Sequence, residues 1–324
     1  MKKFLALLLA LWIPAGVLSG CAQQNNTNAS DKLHIVATIF PEYDWVREIL
    51  GENNEHAEVT LLLDSGVDLH SYQPTAEDMI EISDCDLFLY IGGESDKWVE
   101  DALASTHSET RKVLRLLEVL GDSAKVEEAL EGMQEEDHGQ EEEAEYDEHI
   151  WLSLKNAQVL VAAISEALQE LDPAHKEAYA ANAAAYAEKL SALDGEYQAA
   201  VDGGKYKTLL FGDRFPFRYL ADDYGLDYYA AFPGCSAETE ASFETISFLA
   251  KKVDELKLPC VLTIEGTQHK IAETIVENTI AKNQKVLTMD SMQSAASKDT
   301  ADGVSYLSIM EKNLAVLKQA LEAA

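Results

Sequence analysis

The chain has 324 residues, with 58 Asp or Glu against 25 Lys or Arg, a formal net charge of −33. So acidic a surface repels nucleic acid and anionic lipid heads and suits a protein that attracts cations, although acidity alone also serves solubility. Hydrophobic residues make up 47%, which provides for packed cores and excludes global disorder, and the length suits two lobes of ordinary domain size.

Lys2 and Lys3 open the chain, an apolar run follows from Phe4 to Val17, and Leu18-Ser19-Gly20-Cys21 comes next. A positive start, a run too short for a permanent span and small residues at the cut make a secretory signal over residues 1–20. The cysteine directly after the small pair makes this signal similar to that of bacterial lipoproteins, with Cys21 as the lipidated first residue of the mature protein. Everything downstream is then expected outside the cytoplasm, held at the cell membrane by acyl chains. No later apolar run approaches the ~20 residues of a membrane helix. Residues 21–32 read as the lipidated tether, polar and small from Ala22 to Ser30.

From residue 33 the pattern is α/β. Strands are expected at His34–Ile39, Glu58–Leu63 and Asp86–Ile91, with helices at 43–50 and Thr75–Ile82 between them. Alternation at this spacing gives βαβ units and a parallel sheet. Residues 131–148 break it, because carboxylates crowd from Glu135 to Glu148 around His138 without apolar periodicity. They read as a mobile, exposed acidic loop. A helix at Asn156–Leu171 precedes Asp172-Pro173. The long helix after it, ended by Gly203-Gly204, carries Tyr179, Ala183, Tyr186, Leu190, Leu193 and Tyr197 in one apolar stripe.

A second α/β series follows, with strands at Thr208–Phe211, Leu226–Ala231, Cys260–Glu265 and Lys285–Met289. Helices are expected at Arg218–Tyr224, Phe243–Glu255 and Ala272–Thr279, with an amphipathic closing helix from Ser305. The expected architecture is therefore an N-terminal lobe (33–170) and a C-terminal lobe (204–324). Each is a mainly parallel sheet flanked by helices, and one long connecting helix (171–203) joins them. Once Cys21 is lipidated, Cys85, Cys235 and Cys260 remain. One disulfide with one spare thiol fits an oxidising compartment, and Cys235 with Cys260 is the favoured pair because both lie in the later lobe.

In open parallel sheets, ligands bind beyond the carboxyl ends of the strands. Four side chains qualify: His70 after the second strand, His149 just before a helix, Asp213 after Thr208–Phe211 and Asp290 after Lys285–Met289. Two imidazoles and two carboxylates from four loops suit one divalent Zn²⁺ or Mn²⁺. Of the remaining histidines, His34 reads as a strand residue, and His56, His107 and His175 as surface positions. His138 reads as part of a solvated charge run rather than a metal-collecting arm, while His269 or Glu265 at a strand end is a weaker candidate for the cleft.

Several segments resemble the metal-binding lipoproteins that feed zinc and manganese ABC transporters, the ZnuA-like and TroA-like family, over about residues 33 to 321. They include Ile39-Phe40-Pro41-Glu42-Tyr43-Asp44, Gly66–Thr75, Asp86–Gly93, His149–Asn156, Leu171-Asp172-Pro173, Tyr219-Leu220-Ala221 and Asn313-Leu314. The resemblance implies a monomeric, extracytoplasmic solute-binding protein, lipid-anchored, that captures the metal between its lobes and delivers it to a membrane permease. The family's motif histidines fall on His70 and His149, and its late carboxylate on Asp290. Its third ligand falls at Asp213-Arg214, where a one-residue insertion favours Asp213, with Arg214 paired to a nearby carboxylate. Leu154 departs from the proline often found there. A surface adhesin is an alternative, without a patch in the sequence to point to it. A secreted metallohydrolase is disfavoured, because HExxH, Gly-x-Ser-x-Gly and a phosphate loop are all missing.

Overall fold

The computed structural model describes residues 32–323 except 53, 65, 67, 68, 107, 135–144, 237–239, 267 and 268. The signal, Cys21, the tether up to residue 31 and His138 lie outside the described residues. Apolar runs rich in Val, Leu and Phe form two four-stranded, wholly parallel sheets. The first contains β1 (Leu33–Ala37), β2 (Ala57–Leu61), β3 (Leu87–Tyr90) and β4 (Lys112–Arg115), in the order β2-β1-β3-β4. The second contains β5 (Thr208–Arg214), β6 (Asp227–Phe232), β7 (Cys260–Thr263) and β8 (Lys285–Thr288), in the order β6-β5-β7-β8.

Helices α1 (Phe40–Leu50), α2 (Ala76–Asp84), α3 (Trp98–Ser105) and α4 (Leu116–Leu120) accompany the first sheet. The helices α5 (Leu154–Leu171) and α6 (Lys176–Gly203) follow. Then α7 (Arg218–Tyr224), α8 (Phe243–Leu256) and α9 (Lys270–Asn278) accompany the second sheet, and α10 (Tyr306–Ala320) closes the chain.

Each sheet reverses its strand order once, between β1 and β3 and between β5 and β7. That reversal opens a crevice beyond the carboxyl ends, which is where open α/β sheets bind ligands. Local chemistry sets these edges. Pro41 falls in the first turn of α1, where a missing N–H costs nothing. The Glu42 carboxylate folds back to accept from Thr38 N at 2.9 Å and Ile39 N at 3.3 Å. Ser153 caps α5 by accepting from Asn156 N at 3.0 Å, and Ser305 caps α10 by accepting from Ser308 N at 3.1 Å.

The 28 residues of α6 run for about 42 Å. The buried stripe of Tyr179, Ala183, Tyr186, Leu190, Leu193 and Tyr197 faces α5, α1 and α10. One hydrophobic cluster runs unbroken from β1 through α5 and α6 to β5, β7 and α10. A smaller one fills the far face of the second sheet, beneath α8 and α9. No helix among the described residues is long and apolar enough to cross a membrane.

Helices α3 and α4 are additional to the sequence expectation, and three further findings differ from it. The edge strand β4 is additional: Lys-Val-Leu-Arg is too short and too charged at its ends to register as a strand, yet it pairs with β3 from Leu87↔Lys112 to Tyr90↔Arg115. The favoured disulfide is absent, and Cys85, Cys235 and Cys260 are all free. Cys260 starts β7, whereas Cys235 lies past the end of β6. In a parallel sheet, about 3.3 Å per residue separates those two edges. Lastly, the end of the acidic segment is not exposed throughout. Val126 and Tyr146 form an antiparallel bridge, and Asp147 and Glu148 are buried.

Candidate metal centre

His149 stands between that bridge and a short 3₁₀ turn, Ile150–Leu152, all of it buried. The apolar turn anchors the backbone, and Asp147 orients the ring. Asp147 Oδ1 accepts from both His149 N and His149 Nδ1, each at 2.9 Å. This leaves the lone pair on Nε2, which is buried without a hydrogen-bond partner among the described residues. Gly234 lies against the same ring; a Cβ there would sit 3.2 Å from His149 Nδ1 and 2.9 Å from Phe215 O. Glycine is what permits the approach.

His70 lies in the 3₁₀ turn Leu69–Ser71, held by the buried side chains of Leu69 and Tyr72. Its Nδ1 is 2.7 Å from Ser95 Oγ and 3.9 Å from Glu148 Oε2. A hydroxyl and a carboxyl on one side place the proton on Nδ1 and leave Nε2, itself buried, for a ligand. Glu148 also accepts from Ser95 N at 2.5 Å, so it ties the two histidine segments together. Burial pushes the Glu148 carboxyl up to about 7, with Asp96 adding to the rise and Ser95 opposing it.

The two rings are 5.5 Å apart between centroids. The third member of the group is Cys235, in the loop after β6, whose backbone N donates to Glu127 Oε1 at 2.8 Å. Donor atoms of His70, His149 and Cys235 all lie within 4.8 Å of one another. A tetrahedral zinc with bonds of about 2.0–2.3 Å spaces such donors about 3.3–3.6 Å apart. Contraction by about an ångström would therefore close this set on an ion. Burial, then the charges of Asp147, Glu148 and Glu127, pushes the Cys235 thiol well above its usual range. It is a thiol that only a cation would deprotonate.

Asp213 and Asp290 stand outside this group. Asp213 belongs to β5, which runs three residues further than expected. Its Oδ2 accepts from Thr263 Oγ1 at 2.6 Å and Ile264 N at 3.4 Å, and its Oδ1 accepts from Arg214 N at 2.9 Å. Arg214 Nη1 donates to Ser236 O at 3.4 Å. Asp290 follows β8 by two residues, with its peptide clamped by Asn313, which accepts from its N–H and donates to its carbonyl, both at 2.8 Å.

Burial raises the Asp290 carboxyl, and burial together with Asp290 raises Glu265. The Asp290 loop is tied toward His149, because Trp151 Nε1 donates to Ser291 O at 2.8 Å. Cys235 is not among the sequence candidates, although Pro233-Gly234-Cys235 meets the criterion applied to His70, Asp213 and Asp290, a loop directly after a strand. The sequence reads it as a disulfide partner, and the lack of a CxxC spacing argues there against a thiolate zinc site.

Two parallel sheets with edge loops that gather imidazole and thiol donors define an α/β protein with a transition-metal centre as its candidate function. The family model described as "Zinc-uptake complex component A periplasmic" (ZnuA) matches residues 35–320, and the chain belongs to that family. Among curated relatives, the zinc-binding lipoprotein AdcA of Streptococcus pneumoniae serotype 4 is 34% identical over 322 residues. That alignment takes in 98% of this chain and 61% of AdcA, so the chain spans about three fifths of this relative's length. The high-affinity zinc uptake system protein ZnuA of Bacillus subtilis is 31% identical over 90% of this chain and 88% of its own length. Among solved structures, the Zn(II)-bound ZnuA-like domain of Streptococcus pneumoniae AdcA superposes with a TM-score of 0.69. It is 31% identical, over 90% of this chain and 99% of that one.

Proposed function

We propose that the chain is a solute-binding protein, not an enzyme, which captures a zinc ion at the facing sheet edges and hands it to the permease of an ABC transporter. His70 and His149 supply two imidazole nitrogens and Cys235 a thiolate. Asp290, on the loop tied to Trp151, is the oxygen donor that completes the shell, and Asp213 braces β5 against β7 beside it. The chain works outside the cytoplasm as a monomer anchored through Cys21.

The observation that carries this reading is the pair of buried imidazoles, each engaged at Nδ1 by an oxygen and presenting Nε2. Metal-binding histidines are held in this way by a hydrogen bond to the other ring nitrogen. Among divalent ions, a nitrogen and sulfur set selects zinc over manganese, which prefers oxygen. The relatives' names as zinc-binding and zinc-uptake proteins support the same choice.

Protein purified without added metal is expected to contain one zinc per chain at this site by elemental analysis. His70→Ala should weaken zinc binding by about 100-fold or more in a chelator competition. Unchanged affinity in that variant overturns the reading.

A further inference from the structure

A second group of metal-ligating side chains stands at the opposite edge of the first sheet. His56 immediately precedes β2, while Asp172 and His175 form the turn between α5 and α6. Their donor atoms all lie within 4.8 Å of one another. The first centre takes His70 from beyond the far end of β2, so the two groups share no residue and lie at opposite ends of that strand. From these observations we infer that His56, Asp172 and His175 form an auxiliary, solvent-accessible zinc site, weaker than the first.

Without an ion, hydrogen bonds hold the group together. Tyr179 Oη donates to Asp172 Oδ2 at 2.8 Å, so its one proton is committed there. His56 Nε2, 2.8 Å from Tyr179 Oη, must be the donor to it, which leaves the lone pair of His56 on Nδ1. His175 Nδ1 donates to Asp172 Oδ2 at 2.6 Å, leaving its Nε2 lone pair. The nitrogens turned toward Asp172 Oδ2, His175 Nδ1 at 2.6 Å and His56 Nε2 at 3.8 Å, are the ones placed to share an ion with it; zinc would take the place of their two protons, which the opposite ring nitrogens would then carry.

Two neutral imidazoles and one carboxylate form a set typical of zinc sites that keep a water ligand. The side chains of His175, His56 and Asp172 are 43%, 21% and 18% exposed, so an ion and its water have access. The rings now stack at 3.8 Å between centroids, 14° from parallel. An ion held in the plane of both rings obliges them to fan apart, and that reorganisation makes this the weaker site. The net charge of −33 raises the local cation concentration at any such exposed position.

The test is a zinc chloride titration of the full chain by calorimetry, beside His70→Ala and a His56→Gln/His175→Gln double variant. The full chain is expected to take a second, weaker equivalent. His70→Ala should lose the tight event and keep the weak one; the double variant should weaken the second event by about tenfold or more and leave the tight one unchanged. A weak event that persists in the double variant, or no second event at all, overturns the proposal. Should the double variant fold poorly, imidazole proton spectra of the unmodified chain decide. The His56 and His175 signals move with the second equivalent of zinc if the site is real, and stay fixed if it is not.

Discussion

In the proposed centre, Cys235 adds a thiol to a set otherwise built of imidazole and carboxylate. A thiol beside Asp147, Glu148 and Glu127 is hard to ionise, so binding an ion there releases a proton and becomes weaker in acid. Loaded with Co²⁺ in place of zinc, the protein is expected to show a thiolate-to-metal charge-transfer band that Cys235→Ser abolishes. The variant should also lose about 10- to 100-fold in affinity. An identical spectrum in the variant removes Cys235 from the shell. The pair Asp147 and Glu148 was concealed in the sequence for a different reason. Both belong to a run of acids, and charge crowding usually marks solvent, but one orients His149 and the other bridges to Ser95.

Helix α10 fastens the late part of the chain to the segment that carries His149. The hydroxyl of Tyr306 donates to Trp151 O at 2.6 Å and its backbone N donates to Asp44 Oδ2 at 2.8 Å, while its ring meets Trp45 edge-on at 5.2 Å. Tyr306→Phe keeps the ring and leaves a buried carbonyl unsatisfied, a loss of about 1–3 kcal/mol. It should appear as a lower urea midpoint with an unchanged slope. A midpoint equal to that of the unmodified chain would show that Trp151 O has found another donor. The stripe on α6 was readable because its spacing of three and four repeats over many turns. The edge strand β4 was not, because four residues leave too little alternation to count.

Across the whole molecule, buried acids set the response to pH. Burial, reinforced by Asp96, pushes Glu42 up to about 8. Burial also raises Asp44 and Asp96 to about 6 and Glu148 to about 7. An acid whose folded pKa exceeds its unfolded value holds protons more tightly when folded. Its contribution to stability is complete below the unfolded value, near 4, and is lost as pH rises through the folded value. The metal-free chain is therefore expected to melt higher at pH 5 than at pH 8, with a slope of about 1.4 kcal/mol per pH unit for each proton involved. Glu42→Gln should flatten the upper part of that window, from about pH 6 to 8. A melting temperature that rises steadily to pH 8, or a slope unaffected by the substitution, contradicts these assignments.

Strands, long helices and the two imidazole segments were readable along the chain because each is a local property: an apolar period, a cap, a histidine in a loop after a strand or before a helix. Two parallel sheets follow from strands that alternate with helices. Which donors meet is not local. His70, His149 and Cys235 are far apart in sequence and converge through strand order and helix packing. The same convergence holds Asp213 against Thr263 and brings His56 to the turn between α5 and α6. Distance along a chain carries no information about such encounters, whereas the packed core that joins both sheets admits only one set of them.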